Sequence, residues 1–93
     1  MNIQLAIRNR TGLHARPAAI FTATAKKFKA GIRARNLTKA GNWKDGKSLL
    51  DVLALGAEIG HEIELSIEGE DEMEAAETLR RAIESGLGDE IVG

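Results

Sequence analysis

The sequence predicts an α+β fold in which a four-stranded antiparallel sheet is covered on one face by three helices. Three segments alternate apolar with polar residues, which predicts strands, and a fourth is expected to form a short edge strand. Three other segments have helical character. Their order is strand, helix, strand, short strand, short helix, strand, long helix. Because alternation leaves only one face of each strand apolar, the sheet has one buried face, which favours antiparallel pairing. The length predicts one domain over residues 1–93.

The first two strands and the first helix are expected in the N-terminal half. Apolar and polar residues alternate over residues 3–7, which indicates a half-buried strand. Apolar residues then recur at helical spacing over residues 15–28, with Pro17 in the first turn, where its missing N–H costs nothing. Gly31 ends this helix, and the alternation over residues 32–35 predicts the second strand.

The short strand and the short helix follow in the middle of the chain. Residues 38–46 are polar and contain glycine, and a short edge strand is expected around Trp43. Ser48 precedes the apolar segment 49–55, and Asp51 follows Ser48 by three residues, which is the spacing of a capping box. The sequence therefore predicts a short helix with Ser48 as its N-cap.

The last strand and the long helix form the C-terminal part. Residues 62–68 alternate more clearly than any other segment and predict a strand. A helix is expected from Glu70 to Ser85, because its first turn is acidic and one side is apolar, with Gly86 as C-cap.

Charge is divided unevenly along the chain. The first 47 residues carry eleven basic side chains and one acidic side chain, whereas the remaining 46 carry two basic and thirteen acidic ones. This division indicates a basic surface for an anionic ligand or an acidic partner. The alternative is that the two halves interleave in the fold and neutralise each other.

Several function classes are excluded by composition. The chain has no cysteine and two histidines, so thiolate chemistry and metal clusters are not expected, and no cofactor or metal is predicted. Its three aromatic residues offer little surface for stacking nucleic-acid bases. No secretory signal and no apolar segment of the ~18 residues needed to span a membrane are present. We expect a cytoplasmic protein without nucleic-acid or membrane partners, and His61 is expected to be a surface residue.

A histidine at the start of the first helix is the main candidate for chemistry. In the segment GLHARPAA, residues 12–19, His14 stands where a loop becomes a helix. The first N–H groups of a helix lack intrahelical partners and lie at the positive end of its dipole, so they favour a phosphate there. Neutral imidazole can attack phosphorus, and Arg16 can bind the phosphate oxygens. The alternative is that His14 is only an N-cap residue.

A second segment matches a nucleotide-binding pattern by chance. Residues 41–48, GNWKDGKS, fit the P-loop pattern G-x-x-x-x-G-K-[ST]. A P-loop follows a buried parallel strand, and residues 38–40 do not have the apolar character of one. We therefore reject nucleotide binding.

The segment GLHARPAA resembles the phosphorylation-site motif of the HPr family, the histidine phosphocarriers of the bacterial phosphoenolpyruvate:sugar phosphotransferase system. Residues 47–56, KSLLDVLALG, resemble the family's second motif, and residues 68–72 and 85–88 resemble the start of its last helix and its tail. The resemblance covers nearly the whole chain. It implies an open-faced βαββαβα sandwich, in agreement with the element order.

The resemblance also implies roles for particular residues. His14 would receive a phosphoryl group on Nδ1 from phosphorylated enzyme I and pass it to IIA domains of sugar permeases. Arg16 would stabilise that phosphate, together with the backbone N–H groups of Ala15 and Arg16. The chain would act as a monomeric phosphoryl carrier, not as an enzyme on its own. An apolar docking patch would consist of Ala19, Ile20, Leu49, Leu50 and Leu53.

Some features depart from the family pattern or leave alternatives open. Residues 39–46 are a longer connection than usual, and Ile20 is an apolar residue on a partly exposed helix face. In some family members a serine at the position of Ser48 is phosphorylated by a dedicated kinase, and here Asp45 and Asp51 flank it. The alternatives are a mainly regulatory paralogue phosphorylated on Ser48, a carrier in a nitrogen-regulatory or dihydroxyacetone kinase phosphorelay, and a domain of a multidomain phosphotransferase.

Overall fold

Four antiparallel strands form one sheet, and three helices complete the fold in the predicted order. The computed structural model describes residues 1–92. The predicted fold class is confirmed. The elements are β1 (Asn2–Ala6), α1 (Ala15–Ala25), β2 (Gly31–Asn36), β3 (Lys44–Asp45), α2 (Leu49–Ala54), β4 (Glu62–Glu68) and α3 (Glu72–Glu84).

The last strand of the chain lies in the middle of the sheet, whose spatial order is β1-β4-β2-β3. β4 pairs with β1 from Asn2 opposite Ser66 to Ala6 opposite Glu62. It pairs with β2 from Gly31 opposite Glu68 onwards. The sheet therefore depends on contacts between distant parts of the sequence.

The hydrophobic core lies between the sheet and the helices. In β1, β2 and β4 every second side chain points into it, as the alternation predicts. Phe21 is fully buried on α1, and Leu79 is fully buried on α3. The other core side chains of the strands include Ile3, Leu5, Ile32, Ala34, Ile63, Leu65 and Ile67.

β4 differs from the prediction of one buried face, because Glu64 and Ser66 are buried on its outer face as well. Asn2 and Arg35 cover Glu64. The Arg35 guanidinium donates to Glu64 Oε1 from Nε at 2.8 Å and from Nη2 at 2.7 Å, and Asn2 Nδ2 donates to Oε2 at 3.1 Å. The bonds from Arg35, followed by that from Asn2, lower the pKa of Glu64. A polar layer therefore covers the centre of the open sheet face.

Several element boundaries differ from the expected ones. α1 ends at Ala25 and not at Phe28, because the following turn tightens into bonds between residues three apart, such as Phe28 N–H to the Ala25 carbonyl at 3.2 Å. β3 lies just after Trp43, at 44–45. Trp43 instead stacks beneath the Arg35 guanidinium, 4.7 Å from its ring centroid.

The ends of α3 have specific causes. It begins at Glu72 and not at Glu70, because Asp71 is its N-cap, with a non-helical backbone of φ −101° and ψ 24°. The Asp71 carboxylate accepts the N–H groups of Lys29 and Ala30, each at 2.8 Å. These bonds, led by that from Lys29, lower the pKa of Asp71. At the other end Gly86 has φ +92° and the Leu87 N–H reaches the Ala82 carbonyl at 3.0 Å. This is a Schellman motif, so Gly86 ends the helix one residue after the cap position.

The basic and acidic halves of the sequence are in contact. Three of the four ion pairs among residues 1–92 join one half to the other: Met1 N-terminus with Glu72, Arg10 with Glu90, and Arg35 with Glu64. Mutual neutralisation thus accounts for part of the charge division. Among the same residues, no helix is both long and apolar enough to cross a bilayer.

Candidate functional site

His14 is the residue immediately before α1, with an extended backbone (φ −126°, ψ 163°). Its half-buried imidazole makes no capping hydrogen bond to the helix. The first backbone bond across the helix start runs from the Ala18 N–H to the His14 carbonyl, at 3.5 Å. The side chain is therefore not used to cap the helix, which is the role that the alternative interpretation gives it.

Two backbone donors at this end of α1 are not used within the helix. The N–H groups of Ala15 and Arg16 precede the first intrahelical bond, so neither has an acceptor within the helix. Pro17 has no N–H to satisfy. The first turn contains no acidic residue. The surroundings of His14 therefore favour an anion.

Ala15 adopts a backbone conformation that alanine normally avoids. Its φ is +47°, in the left-handed region, although it is the first residue of α1. For a residue with a Cβ this conformation costs about 1–2 kcal/mol. The strain lies directly after His14, at the residue whose N–H is one of the two free donors.

Arg16 is exposed and has no acidic side chain within ion-pair distance in the part of the chain that the structure describes. Its guanidinium lies against Gly88. A Cβ on Gly88 would be 3.5 Å from Arg16 Nε and only 2.7 Å from Ile20 Cδ1. The C-terminal segment therefore forms one wall of the site, which the sequence analysis did not foresee; the glycines at 86 and 88 were its only signal.

The loop before His14 packs against the segment that follows α2. Gly12 has φ +68°, and a Cβ there would lie 2.3 Å from the Ala57 carbonyl oxygen. The next residue, Leu13, is fully buried and donates its N–H to that same oxygen at 2.8 Å. Only glycine fits at position 12, because the backbones approach so closely.

Apolar side chains are exposed on α2, which packs against α1. Leu50 is 79% exposed and Leu49 is 42% exposed, while Leu53 is half-buried. On α1, Ala19 is exposed and Ile20 is half-buried against the core. Exposure of large apolar side chains on neighbouring elements is typical of an interaction surface. These five residues are called the docking patch below.

Ser48 is the N-cap of α2, and its Oγ accepts the Asp51 N–H at 3.3 Å. The capping box is only half formed. The Asp51 carboxylate accepts the Asp45 N–H at 3.0 Å and not that of Ser48, whose N–H bonds to the Asp45 carbonyl at 3.2 Å. Asp51 thus connects β3 to α2, and both carboxylates flank a half-buried Ser48.

The remaining candidates have structural roles. The lysine of the P-loop-like string, Lys47, donates from Nζ to the Phe28 carbonyl at 2.7 Å. The sheet beside it is antiparallel, so the P-loop context is absent from residues 1–92. His61 is not a simple surface residue as expected: it is half-buried, and its Nδ1 accepts the Glu58 N–H at 3.1 Å.

Residues 1–92 contain no group of three or more His, Cys, Asp or Glu side chains placed to hold a metal ion. The chemistry available around His14 is that of an imidazole, two backbone donors and a guanidinium. The backbone donors and the guanidinium can bind the oxygens of a phosphoryl group, and a ring nitrogen of the imidazole can form a covalent bond to its phosphorus.

The chain is similar to several known proteins. A family model described as "PTS HPr component phosphorylation site" matches residues 1–85. The multiphosphoryl transfer protein of Haemophilus influenzae is 44% identical over 85 residues, which is 91% of this chain and 17% of that protein. The chain spans between 17% and 24% of the length of such multiphosphoryl transfer proteins.

Shorter proteins are similar over most of their length. The HPr-like protein Crh of Bacillus subtilis is 40% identical over 73 residues, which is 78% of this chain and 82% of that protein. The crystal structure of HPr-C-His from Thermoanaerobacter tengcongensis has a TM-score of 0.89 and 41% sequence identity, over 98% of this chain and 99% of that one.

Proposed function

The chain belongs to the HPr family of phosphocarrier proteins of the phosphotransferase system, and we propose that His14 accepts a phosphoryl group from phosphorylated enzyme I and donates it to IIA domains. The observation that carries this proposal is the position of His14. Its imidazole has no capping bond and stands beside two backbone N–H groups without helical acceptors.

In the proposed reaction the unprotonated Nδ1 of His14 attacks phosphorus. A bond from Nδ1 to phosphorus forms while the bond from phosphorus to the donor atom of enzyme I breaks, and the donor keeps that electron pair. The N–H groups of Ala15 and Arg16 bind phosphoryl oxygens, and the Arg16 guanidinium adds charge-assisted bonds. In the transfer to a IIA domain, an acceptor atom of that domain attacks phosphorus and the bond from phosphorus to Nδ1 breaks. Nδ1 keeps that electron pair, so His14 returns to its original state.

Docking is assigned to the patch of Ala19, Ile20, Leu49, Leu50 and Leu53. Leu50 supports this assignment best, because a leucine that is 79% exposed contributes little to the core. Basic residues of the N-terminal half suit an acidic rim on enzyme I or a IIA domain. We propose that the carrier acts as a monomer in the cytoplasm, which sedimentation analysis and cell fractionation test.

The experiment combines the protein with phosphoenolpyruvate, Mg²⁺ and enzyme I. We expect phosphate that is stable in base and labile in acid, as a phosphohistidine is, and we expect none in His14→Ala. The matched control is His61→Asn, since asparagine retains an acceptor near the position of Nδ1. Undiminished labelling of His14→Ala would refute the proposal.

The phosphorelay branch is decided by the acceptor. The carrier loaded with phosphate is offered separately to a sugar-specific IIA domain, a nitrogen-regulatory IIA domain and the acceptor subunit of a dihydroxyacetone kinase. We propose the sugar branch, so the first acceptor should be labelled fastest. Preferential labelling of either of the other two acceptors would assign the chain to that phosphorelay. Whether the chain acts as a domain of a longer phosphotransferase is tested by the same transfer assay with the longer protein.

A second candidate function is regulation through phosphorylation of Ser48. The similarity to the HPr-like protein Crh and the half-buried position of Ser48 at the start of α2 beside the docking patch favour it. A phosphate on Ser48 would add negative charge beside Asp45 and Asp51, and it would oppose docking to acidic partners. The test is incubation with ATP and a cognate serine kinase/phosphorylase, which would transfer the γ-phosphoryl group to the Ser48 hydroxyl and release ADP. We expect acid-stable phosphate on the wild type and none on the Ser48→Ala control.

A further inference from the structure

The carboxylate of Asp89 binds the loop that leads to His14. One oxygen, Oδ2, accepts three hydrogen bonds: from the Thr11 N–H at 2.8 Å, from the Thr11 hydroxyl at 2.7 Å and from Asn9 Nδ2 at 3.2 Å. Hydrogen bonds to an ionised carboxylate are stronger than bonds between neutral groups, and these three join residues that are 78 to 80 positions apart in the sequence.

The segment that carries Asp89 lies alongside the same loop. The Arg10 N–H donates to the Glu90 carbonyl at 2.8 Å, and the Val92 N–H donates to the Arg8 carbonyl at 2.9 Å. Asn9 and Ile91 form an antiparallel bridge between these bonds. The segment 89–92 therefore acts as a short strand beside residues 8–10, and it presents the Asp89 side chain to Thr11.

A continuous path of bonds leads from Asp89 to the residue before His14. Asn9, which is fully buried, uses the same amide nitrogen to donate to the Gly12 carbonyl at 2.8 Å. The Gly12 N–H returns to the Asn9 carbonyl at 3.1 Å. Leu13 is then fixed from the other side by its bond to Ala57. The peptide group between Gly12 and Leu13, one residue before His14, is thus held at both its carbonyl and its N–H.

The orientation of the Asn9 amide is set by two acceptors, the Gly12 carbonyl and the Asp89 carboxylate. Its Oδ1 is buried without a hydrogen-bond partner among residues 1–92. Exchanging the oxygen and nitrogen would place Oδ1 against the Gly12 carbonyl and the Asp89 carboxylate, two acceptors that repel it. The fold accepts one unsatisfied oxygen because both acceptors need the Nδ2 donor.

We propose that Asp89 is a positioning residue for His14: its carboxylate fixes the loop of residues 9–13 so that the imidazole and the N–H groups of Ala15 and Arg16 meet a phosphoryl group in the correct geometry. This inference rests on the proposed function. Asp89 acts through Thr11 and Asn9 and does not touch the phosphate. The bonds from the Thr11 N–H and then the Thr11 hydroxyl lower the pKa of Asp89 far below its usual range, so the carboxylate stays ionised at neutral pH.

The test compares Asp89→Ala and Asp89→Asn with the matched control Glu90→Gln, which removes only the exposed ion pair with Arg10. Single-turnover transfer from phosphorylated enzyme I is measured over a range of carrier concentrations. For Asp89→Ala we expect the maximal rate to fall about tenfold, because small misplacements of reacting groups cost this much or more. The half-saturating concentration should stay within about twofold of wild type, since the docking patch is intact.

Three further readouts separate positioning from general damage. Asp89→Asn keeps one acceptor for Thr11, so its maximal rate should lie between those of Asp89→Ala and wild type. Glu90→Gln should transfer phosphate as wild type does. Amide hydrogen exchange at Thr11 and Leu13 should accelerate in Asp89→Ala, while the β4 amides remain protected and show that the fold is intact.

A wild-type maximal rate in Asp89→Ala would overturn the inference, as would a loss confined to the half-saturating concentration. A wild-type protein that takes no phosphate from enzyme I would refute the proposed function instead. In that case phosphoramidate, which phosphorylates imidazoles directly with loss of ammonia, decides the role of Asp89. Equal rates of His14 labelling in wild type and Asp89→Ala would then overturn it, and a slower rate in the variant would support it.

Discussion

The carbonyl oxygen of Ala57 lies 2.8 Å from the backbone nitrogen of Leu13, and it would lie 2.3 Å from a Cβ on Gly12. One peptide group after α2 therefore accepts a hydrogen bond from the loop before His14 and restricts position 12 to glycine. The loop before His14 and the segment after α2 are thereby joined, although they come from different halves of the chain.

Gly12→Ala should destabilise the protein strongly. The new Cβ adds a left-handed backbone penalty and a collision with the Ala57 carbonyl, and we expect unfolding free energy to fall by about 3 kcal/mol. Gly60→Ala is the matched control, because Gly60 has φ +87° but no atom within 4 Å of a Cβ. It should cost about 1 kcal/mol. Urea unfolding of both variants checks the difference, and equal losses would contradict a role for Ala57.

Ala15→Gly should stabilise the protein. Glycine accepts the φ of +47° without penalty, and the gain exceeds the added entropy of the unfolded chain by about 0.5–1 kcal/mol. Ala19→Gly, four residues later in the helix interior, should lose about 1 kcal/mol. Thermal and urea unfolding measure these opposite signs. A destabilised Ala15→Gly would show that the strain is not present in solution.

The sequence predicted the order of elements and the location of the proposed site, because both follow from local patterns. Alternation in 62–68 and the loop-to-helix transition at His14 need only neighbouring residues. Burial of Glu64 on the outer face could not be predicted, since it depends on β4 being central and on Arg35 and Asn2 arriving from two other strands. Strand order is a tertiary property that alternation does not encode.

The contribution of Asp89 was missed for the same reason. Nothing in the residues around position 89 indicates that Thr11 and Asn9 will lie beside them. The boundaries of α1 and α3 also moved by two or three residues, because the tightened turn after Ala25 and the N-cap position of Asp71 depend on the folded backbone and not on local sequence pattern. Local propensity determines that a helix forms more reliably than where it ends.

Leu50→Glu should weaken docking without weakening the fold. Leu50 is 79% exposed, so its loss changes the core little, whereas a carboxylate in an apolar patch opposes an acidic partner. We expect the half-saturating carrier concentration for transfer from enzyme I to rise about tenfold at an unchanged maximal rate.

Met73→Glu is the control for that measurement. Met73 is 75% exposed in the first turn of α3. Asp71, just before it, binds residues 29 and 30, which follow the C-terminal end of α1, whereas His14 lies at the N-terminal end of that helix. Transfer should be unaffected. Equal effects of the two substitutions would mean that the docking patch has been placed on the wrong elements.

Acid should remove a stabilising contribution from Glu64. Its pKa in the folded protein is lowered from the ordinary 4.5, chiefly by the bonds from Arg35. The contribution is therefore fully present above pH 4.5 and is lost as the pH falls through the lower, folded-state pKa. Glu64→Gln should unfold more easily than wild type at neutral pH, and the two should converge in acid. Denaturant unfolding over this pH range checks it; curves that stay parallel down to about pH 2 would contradict the assignment.

The central position of β4 has a consequence for how the chain acquires its structure during synthesis. Asn2 pairs with Ser66 and Gly31 pairs with Glu68, so neither neighbour of β4 has its partner until residues 62–68 have left the ribosome. Before that point only the short β2–β3 pairing is available. Contacts so distant in sequence make folding slow relative to a helical protein of the same size. The loop of residues 9–13, which bonds to residues 57 and 89, is therefore among the last parts of the molecule to take shape.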